Sequence, residues 1–212
     1  MARWGMVINL KRCNGCYSCV LACKQEHSLP SGIMFNRVLV GEKGKFPSVS
    51  RETLPVMCNH CEEAVCVEVC PSGATTRRDD GIVAIDYDKC MGCRYCIVAC
   101  PFQQRSYLDK VREYFPGQET HFERLAKEAL QTGVAVKCTF CKERIDKGLA
   151  KGLTPGLDRE ATPACVINCL TKARHFGDLD DQHSEVSRLI KEKKATPLHP
   201  EYGTEPSVYY IR

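Results

Sequence analysis

An α+β fold of two similar units, with inserted loops and short helices, is predicted by three features of the 212-residue sequence. Its sixteen cysteines fall into four groups of four, with none left over. An alternating apolar run, a polar turn and a cysteine loop occur twice, as MVINLKRCNGC (6–16) and IVAIDYDKCMGC (82–93), which marks an internal repeat. Strand-like runs flank the cysteine loops, and each closing cysteine sits near the start of a small helix.

The elements follow in order. MVINL is a strand that leads into group one, Cys13, Cys16, Cys19 and Cys23, spaced C-x2-C-x2-C-x3-C. Residues 24–53 are a connector in which MFNRVLV reads as a strand. LPVMC (54–58) leads into group two, Cys58, Cys61, Cys66 and Cys70, spaced C-x2-C-x4-C-x3-C. CPSGATTRRDDGIVAIDYDKC is a hairpin-like link to group three, Cys90, Cys93, Cys96 and Cys100, which repeats the first spacing. Within 102–137, HFERLAKEAL places Phe122, Leu125, Ala126, Ala129 and Leu130 on a helical stripe. VAVKC (134–138) parallels LPVMC and opens group four, Cys138, Cys141, Cys165 and Cys169, with a 23-residue gap in its middle. SEVSRLIKEKK (184–194) is an amphipathic helix with Val186, Leu189 and Ile190 on one face. The closing ATPLHPEYGTEPSVYYIR reads as a strand laid over the body, with docking onto a partner as the alternative.

Composition narrows the function. Hydrophobic residues make up 43%, enough for a core, yet no run approaches the roughly 20 apolar residues of a membrane span. The start, MARWGMVINLKRC, has neither an apolar h-region nor a small-residue cleavage site, and Lys11-Arg12 is not a twin arginine. A chain without its own export signal is expected to fold in a reducing compartment, where many thiols bind metal rather than form disulfides. No Ser/His/Asp constellation and no glycine-rich phosphate loop is present, so the chain reads as non-catalytic. Nor does a basic stripe interleaved with aromatics point to nucleic acid.

Three chemistries compete for the cysteines. Disulfides between thiols two residues apart would be strained. Structural zinc uses C-x2-C pairs, but the second pair follows a dozen or more residues later, whereas in groups one and three it arrives almost at once. The spacing C-x2-C-x2-C-x3-C-P is instead the bacterial ferredoxin run, in which the fourth cysteine ligates the other cluster of a pair. Cys100-Pro101 completes that form, and Cys70-Pro71 ends group two in the same way. Four copies agree, so four [4Fe–4S] clusters are expected. The formal charge of +4 would fall to about −4 with sixteen thiolates around four cores, so the Lys and Arg surplus offsets buried anions.

The crossover rule assigns the ligands. If groups two and three pair, one cluster takes Cys58, Cys61, Cys66 and Cys100, and another takes Cys90, Cys93, Cys96 and Cys70. Groups one and four then pair across the chain, giving Cys13, Cys16, Cys19 and Cys169 on one side and Cys138, Cys141, Cys165 and Cys23 on the other. Around them, Gly15 and Gly92 permit a positive φ in the tight turns. Lys24 and Leu170 stand where a closing proline would, and Lys24 adds a charge that should ease reduction of its cluster. His60 reads as a sulfur hydrogen-bond donor or a surface residue rather than a ligand. Tyr17, Tyr95, Phe102 and Phe140 read as packing or cluster shielding, and Trp4 as packing. Because metal binding is also folding free energy, the apo chain is expected to be largely unfolded.

MVINLKRCNGCYSCVLACK, CNHCEEAVCVEVCPSGA, GIVAIDYDKCMGCRYCIVACPF, KCTFCKERIDKG and TPACVINCLTKARHFGDLDD together resemble the four-cluster iron–sulfur subunit of the dimethyl sulfoxide reductase (molybdopterin oxidoreductase) family, over nearly the whole chain. That family includes the subunits of polysulfide, thiosulfate, tetrathionate and arsenate reductases and of phenylacetyl-CoA:acceptor oxidoreductase. The resemblance implies two partners: a large catalytic subunit holding a molybdenum or tungsten pterin, and a membrane anchor that exchanges electrons with quinone. Association with the membrane would come through the complex, on the cytoplasmic face or, by co-export, in the periplasm. A hydrogenase or formate dehydrogenase subunit and a free polyferredoxin are the alternatives. The expected organisation is a ferredoxin-like unit at 54–101, a second from 1–24 plus 134–180, an insertion at 102–133 and a tail at 181–212. The long 102–137 and 142–164 segments depart from the compact pattern and could serve as partner contacts.

Overall fold

In a computed structural model, which describes residues 2–212, the chain is a mixed α+β body of small sheets and short helices. From the N-terminus run β1 (Trp4–Asn9), α1 (Ser18–Glu26), β2 (Asn36–Lys45), β3 (Ser48–Met57), α2 (Val65–Glu68), β4 (Thr75–Arg77), β5 (Val83–Ile85) and α3 (Tyr95–Val98). They are followed by β6 (Arg105–Leu108), α4 (His121–Ala129), β7 (Val134–Lys137), α5 (Lys142–Ala150), α6 (Ala164–Ile167), β8 (Arg174–Asp178), α7 (Glu185–Lys193), β9 (Thr196–Pro197) and β10 (Val208–Ile211).

The largest sheet has the order β8-β1-β10-β9. β1 lies antiparallel to β8 and parallel to β10, so the chain's last strand sits in the sheet interior. That is the strand reading of the tail. Its side chains alternate as a strand requires. Val208 and Tyr210 face the main core with Trp4, Met6 and Ile8, whereas Tyr209 and Ile211 join Val7 beneath α7. On α7, Val186 is buried and Leu189 and Ile190 pack beside it, the face its sequence periodicity indicates.

The other sheets are pairs: β2 with β3, β4 with β5, and β6 with β7. The link between groups two and three is the β4–β5 hairpin. The MFNRVLV strand extends further than its apolar run, to Lys45, because β3 pairs with it over ten residues. α4 forms where the HFERLAKEAL stripe lies, started by a capping box in which Thr120 and Glu123 satisfy each other's backbone N–H groups. Its buried face follows the stripe only in part. Glu123 and Ala126 are buried, while Leu125 is exposed, because the Glu123 carboxylate turns inward to accept from the Thr120 and Tyr114 N–H groups.

The 142–164 segment is held by its own chain. Arg144 donates to the Thr162 and Arg159 carbonyls, both at 2.8 Å, and reaches Glu26 at 3.2 Å. Gly156 has φ +96, and a Cβ there would stand 2.0 Å from the Phe176 carbonyl oxygen. Only glycine fits that approach.

Candidate iron–sulfur sites

The internal repeat reappears as geometry. Gly15 and Gly92 have φ of +71° and +70°, and Tyr17 and Arg94, two residues on, are also left-handed at +60° and +66°. Each turn swings the chain into a helix carrying the next cysteines, α1 with Cys19 and Cys23 and α3 with Cys96. α2 packs against α3, and α1 against α6, so the helices of groups two and three meet, as do those of groups one and four.

The length of these helices follows in part from what comes after the fourth cysteine. Pro71 and Pro101 disfavour helical backbone at Cys70 and Cys100, and α2 and α3 stop after four residues. With Lys24 in that position, α1 runs on to Glu26. Leu170 does not lengthen α6, where the Asn168 side chain donates to the Ala164 carbonyl at 2.9 Å. The Lys24 ammonium does not face sulfur. It donates to the carbonyls of Pro30 and Ile33 at 2.9 and 3.0 Å and sits over the Tyr114 ring, so it anchors the following loop. Lys24→Pro is therefore expected to destabilise the protein by about 3 kcal/mol, through a broken helix, before it reports on any potential. Thermal unfolding of the holoprotein checks this.

Cys58, Cys61, Cys66 and Cys100 line one cavity, with Ala64, Val65 and Val83 on its apolar walls. Cys13, Cys16, Cys19 and Cys169 line a second, with Ile8, Val38 and Pro55. Cys23, Cys138, Cys141 and Cys165 are all buried, and the last three act electrostatically on Cys23. In a further cluster Cys96 and Cys90 pack with Ile85, Tyr87 and Ile97, and Cys66 borders it as well, while Cys70 is partly buried and Cys93 exposed. All sixteen cysteines are free thiols. Among the described residues, no three His, Cys, Asp or Glu side chains close on a point that would hold a single ion. Eight of the thiols instead ring two cavities, an arrangement that suits a four-iron cube.

The sulfurs are hydrogen-bonded in a repeated way. The Thr75 N–H donates to Cys70 Sγ at 3.4 Å and the Ala173 N–H to Cys169 Sγ at 3.2 Å. A hydroxyl two residues beyond each sulfur, Ser72 and Thr171, lies 3.8 Å away. Against the upward push of burial, these donors bring the Cys70 thiol down to about 7. At four deeper thiols burial dominates: it pushes Cys61 and Cys138 up to about 12, and Cys23 and Cys141 upward as well. Deprotonation at these positions therefore needs a metal, as iron ligation supplies.

His60 and two tyrosines depart from the sequence reading, and His27 adds a contact that reading did not contain. His60 is fully buried rather than on the surface. Its Nδ1 accepts from the Val83 N–H at 3.1 Å and its ring stacks on Phe140 at 3.8 Å. Burial, with Lys137 and Arg105 nearby, pushes its pKa down. The histidine that meets sulfur is His27, whose Nε2 lies 3.3 Å from Cys141 Sγ across 114 residues of chain. Sequence spacing carries no sign of it. Phe140 and Trp4 pack as expected, both against Phe176. Tyr17 and Tyr95 are exposed instead.

Exposure is uneven among the cysteines. Cys16 and Cys93 are exposed, one in loop one and one in loop three, whereas every cysteine of the Cys23, Cys138, Cys141 and Cys165 set is buried. Tyr17, next to Cys16 in the chain, and Leu21 are exposed, as is Leu170 at 76%; Met91 and Tyr95, two residues either side of Cys93, are exposed, as is Val98 at 87%.

Comparison with known proteins agrees with this chemistry. A family model described as a 4Fe-4S dicluster domain matches residues 49–115, the region of groups two and three. A Halobacterium salinarum protein assigned as a dimethyl sulfoxide reductase iron-sulfur subunit is 46% identical over all of this chain and 79% of its own length. A subunit of the selenate reductase of Mesobacillus selenatarsenatis is 41% identical over 99% of the chain and 72% of its own. The arsenate respiratory reductase iron-sulfur subunit of Shewanella sp. is 37% identical over 99% and 96%. With loops, hydrogen-bonded thiols and relatives in agreement, the chain belongs to the family of iron–sulfur electron-transfer subunits of dimethyl sulfoxide reductase-type oxidoreductases.

Proposed function

We propose that the chain holds four [4Fe–4S] clusters in two ferredoxin-like units and relays single electrons between a molybdopterin catalytic subunit and a quinone-linked membrane anchor. The clusters supply the one-electron chemistry when bound; the chain positions, insulates and charges them. The two units are 54–101 and 1–24 plus 134–180, with 102–133 inserted between them. The packing of α2 on α3 and of α1 on α6 supports this division.

The ligand sets are those of the crossover rule, and the cavities lined by Cys58, Cys61, Cys66 and Cys100 and by Cys13, Cys16, Cys19 and Cys169 support two of them. Proximity between sets supports a linear order. Cys19 neighbours Cys165, Cys138 neighbours Cys58, and Arg105 lies near both Cys66 and Cys96. The order runs from the Cys13 set through the Cys138 and Cys58 sets to the Cys90 set.

The observation that carries the relay reading is the pair of exposed ends. Cys16 and Cys93 belong to the first and last sets of that order, and exposed apolar residues lie close to each in the chain. Electrons can enter at one rim and leave at the other, with partner surfaces covering both. No helix among the described residues is long and apolar enough to cross a membrane; on this reading the quinone site lies in the membrane anchor.

The test is anaerobic purification through a tag on this chain. About one molybdenum or tungsten per chain, on a large co-purified subunit, is expected. Iron without either metal would point to a hydrogenase or a free carrier.

A further inference from the structure

Three cations lie deep in this protein without a carboxylate partner. Arg105, Lys137 and Arg174 are 6%, 1% and 4% exposed. The ion pairs among the described residues lie nearer the surface, as in Arg78–Asp146, Arg144–Glu26 and Arg3–Glu62, and none includes these three. A buried charge needs a nearby opposite charge or it strongly destabilises the fold. What surrounds each cation is sulfur and neutral oxygen.

Arg105 donates from Nη2 to Cys66 Sγ at 2.9 Å and from Nη1 to Thr75 Oγ1 at 3.2 Å; Cys58 and Cys96 are its next sulfurs. The Lys137 ammonium donates to the Val83 carbonyl and, at 2.8 Å, to the Cys138 carbonyl; burial pushes its pKa down and Arg105 adds to that, while the Cys58 and Cys138 sulfurs oppose it. Arg174 donates from Nη2 to Asn36 Oδ1 at 2.9 Å, and its Nη1 lies 3.4 Å from the Met57 sulfur. Cys165, Cys19 and Cys169 are the thiols that act on it. Arg105 and Lys137 are also direct cross-strand partners on β6 and β7, where two like charges repel. Nothing in the protein's own charges explains why both are kept there.

We propose that Arg105, Lys137 and Arg174 are the internal counter-ions of the relay, one at each junction between neighbouring cluster sites, where each raises the potentials of the two clusters it separates. This rests on the reading that the sixteen cysteines hold four clusters. Arg105 stands between the Cys90 and Cys58 sets, Lys137 between the Cys58 and Cys138 sets, and Arg174 between the Cys138 and Cys13 sets. A thiolate-ligated cluster is anionic and becomes more so on taking an electron, so an adjacent fixed cation favours the reduced form. The two inner sets face two cations each and the outer sets one. The inner clusters, furthest from water, thereby keep potentials within reach of their neighbours.

The experiment is a potentiometric titration of the intact complex, followed by electron paramagnetic resonance, for wild type and for Arg105→Met, Lys137→Met and Arg174→Met, with iron counted in each. In every variant two of the four midpoint potentials are expected to fall and two to stay. Arg105→Met and Lys137→Met should share one shifted potential, Lys137→Met and Arg174→Met another, and Arg105→Met and Arg174→Met none. Unmoved potentials at full iron content, or four that move together, would overturn the proposal and leave the four-cluster reading intact. If a methionine variant loses iron, the charge-keeping Lys137→Arg or Arg174→Lys decides: restored iron with near-native potentials supports the proposal, and equal loss overturns it. Wild-type iron well below sixteen per chain would instead remove the reading beneath it, and the proposal with it.

Discussion

Anaerobic chelation of the iron is expected to abolish most of the native far-UV circular dichroism rather than leave a folded apo form. The elements are too short to stand alone. α2, α3 and α6 are four residues each, far below the length at which an isolated helix persists. Three of the four sheets are two-stranded, and such pairs are marginal in water. The main core is itself partly built of cysteines, with Cys19, Cys23, Cys58, Cys138 and Cys165 packed among its apolar side chains. Removing the clusters also leaves Arg105, Lys137 and Arg174 buried against neutral thiols. Breaking a buried ion pair costs about 3–5 kcal/mol, and three such losses compare with the about 5–15 kcal/mol that holds a whole domain together. Retention of the native spectrum after complete iron removal would contradict this account of the fold.

What the sequence makes legible is what spacing and periodicity encode. The duplication of 6–16 in 82–93 returns as matched left-handed turns at Gly15 and Gly92, because a loop this tight leaves the backbone few solutions. The short strands before the loops and the amphipathic face of α7 were readable for the same local reason. Long-range pairing was not. Nothing in VYYI tells that β10 lies between β1 and β9, nor that the β2–β3 hairpin reaches Lys45. Glu123 shows how a polar residue can take a buried place when it has N–H groups to accept from, so that the stripe of apolar residues marks the buried face of α4 only in part, through Ala126 and not Leu125. His27 and Lys24 are the same lesson within the site. A histidine 114 residues away meets Cys141, while the lysine beside Cys23 turns to carbonyls. The buried Arg105, Lys137 and Arg174 look in the sequence like any other cations, since burial is a property of the assembled fold.

The largest effect on the sites themselves is expected from paired cysteine substitutions, because the crossover makes distant residues share one cluster. Cys70 lies in group two but is assigned to the cluster of Cys90, Cys93 and Cys96, while Cys61 of the same group belongs with Cys58, Cys66 and Cys100. Changes at residues that act on one unit are non-additive, whereas changes at independent sites add. The direct measurement is iron and acid-labile sulfide per chain, made anaerobically on wild type, the three single alanine variants at Cys61, Cys70 and Cys93, and two double variants. Wild type is expected to hold about sixteen irons, and each single variant about twelve if the cluster it damages is lost. Cys70→Ala with Cys93→Ala should then remain at about twelve, while Cys70→Ala with Cys61→Ala should fall to about eight. The reverse pattern, with losses that add between Cys70 and Cys93 but not between Cys70 and Cys61, would show each loop keeping its own cluster and would contradict the crossed relay on which this account depends.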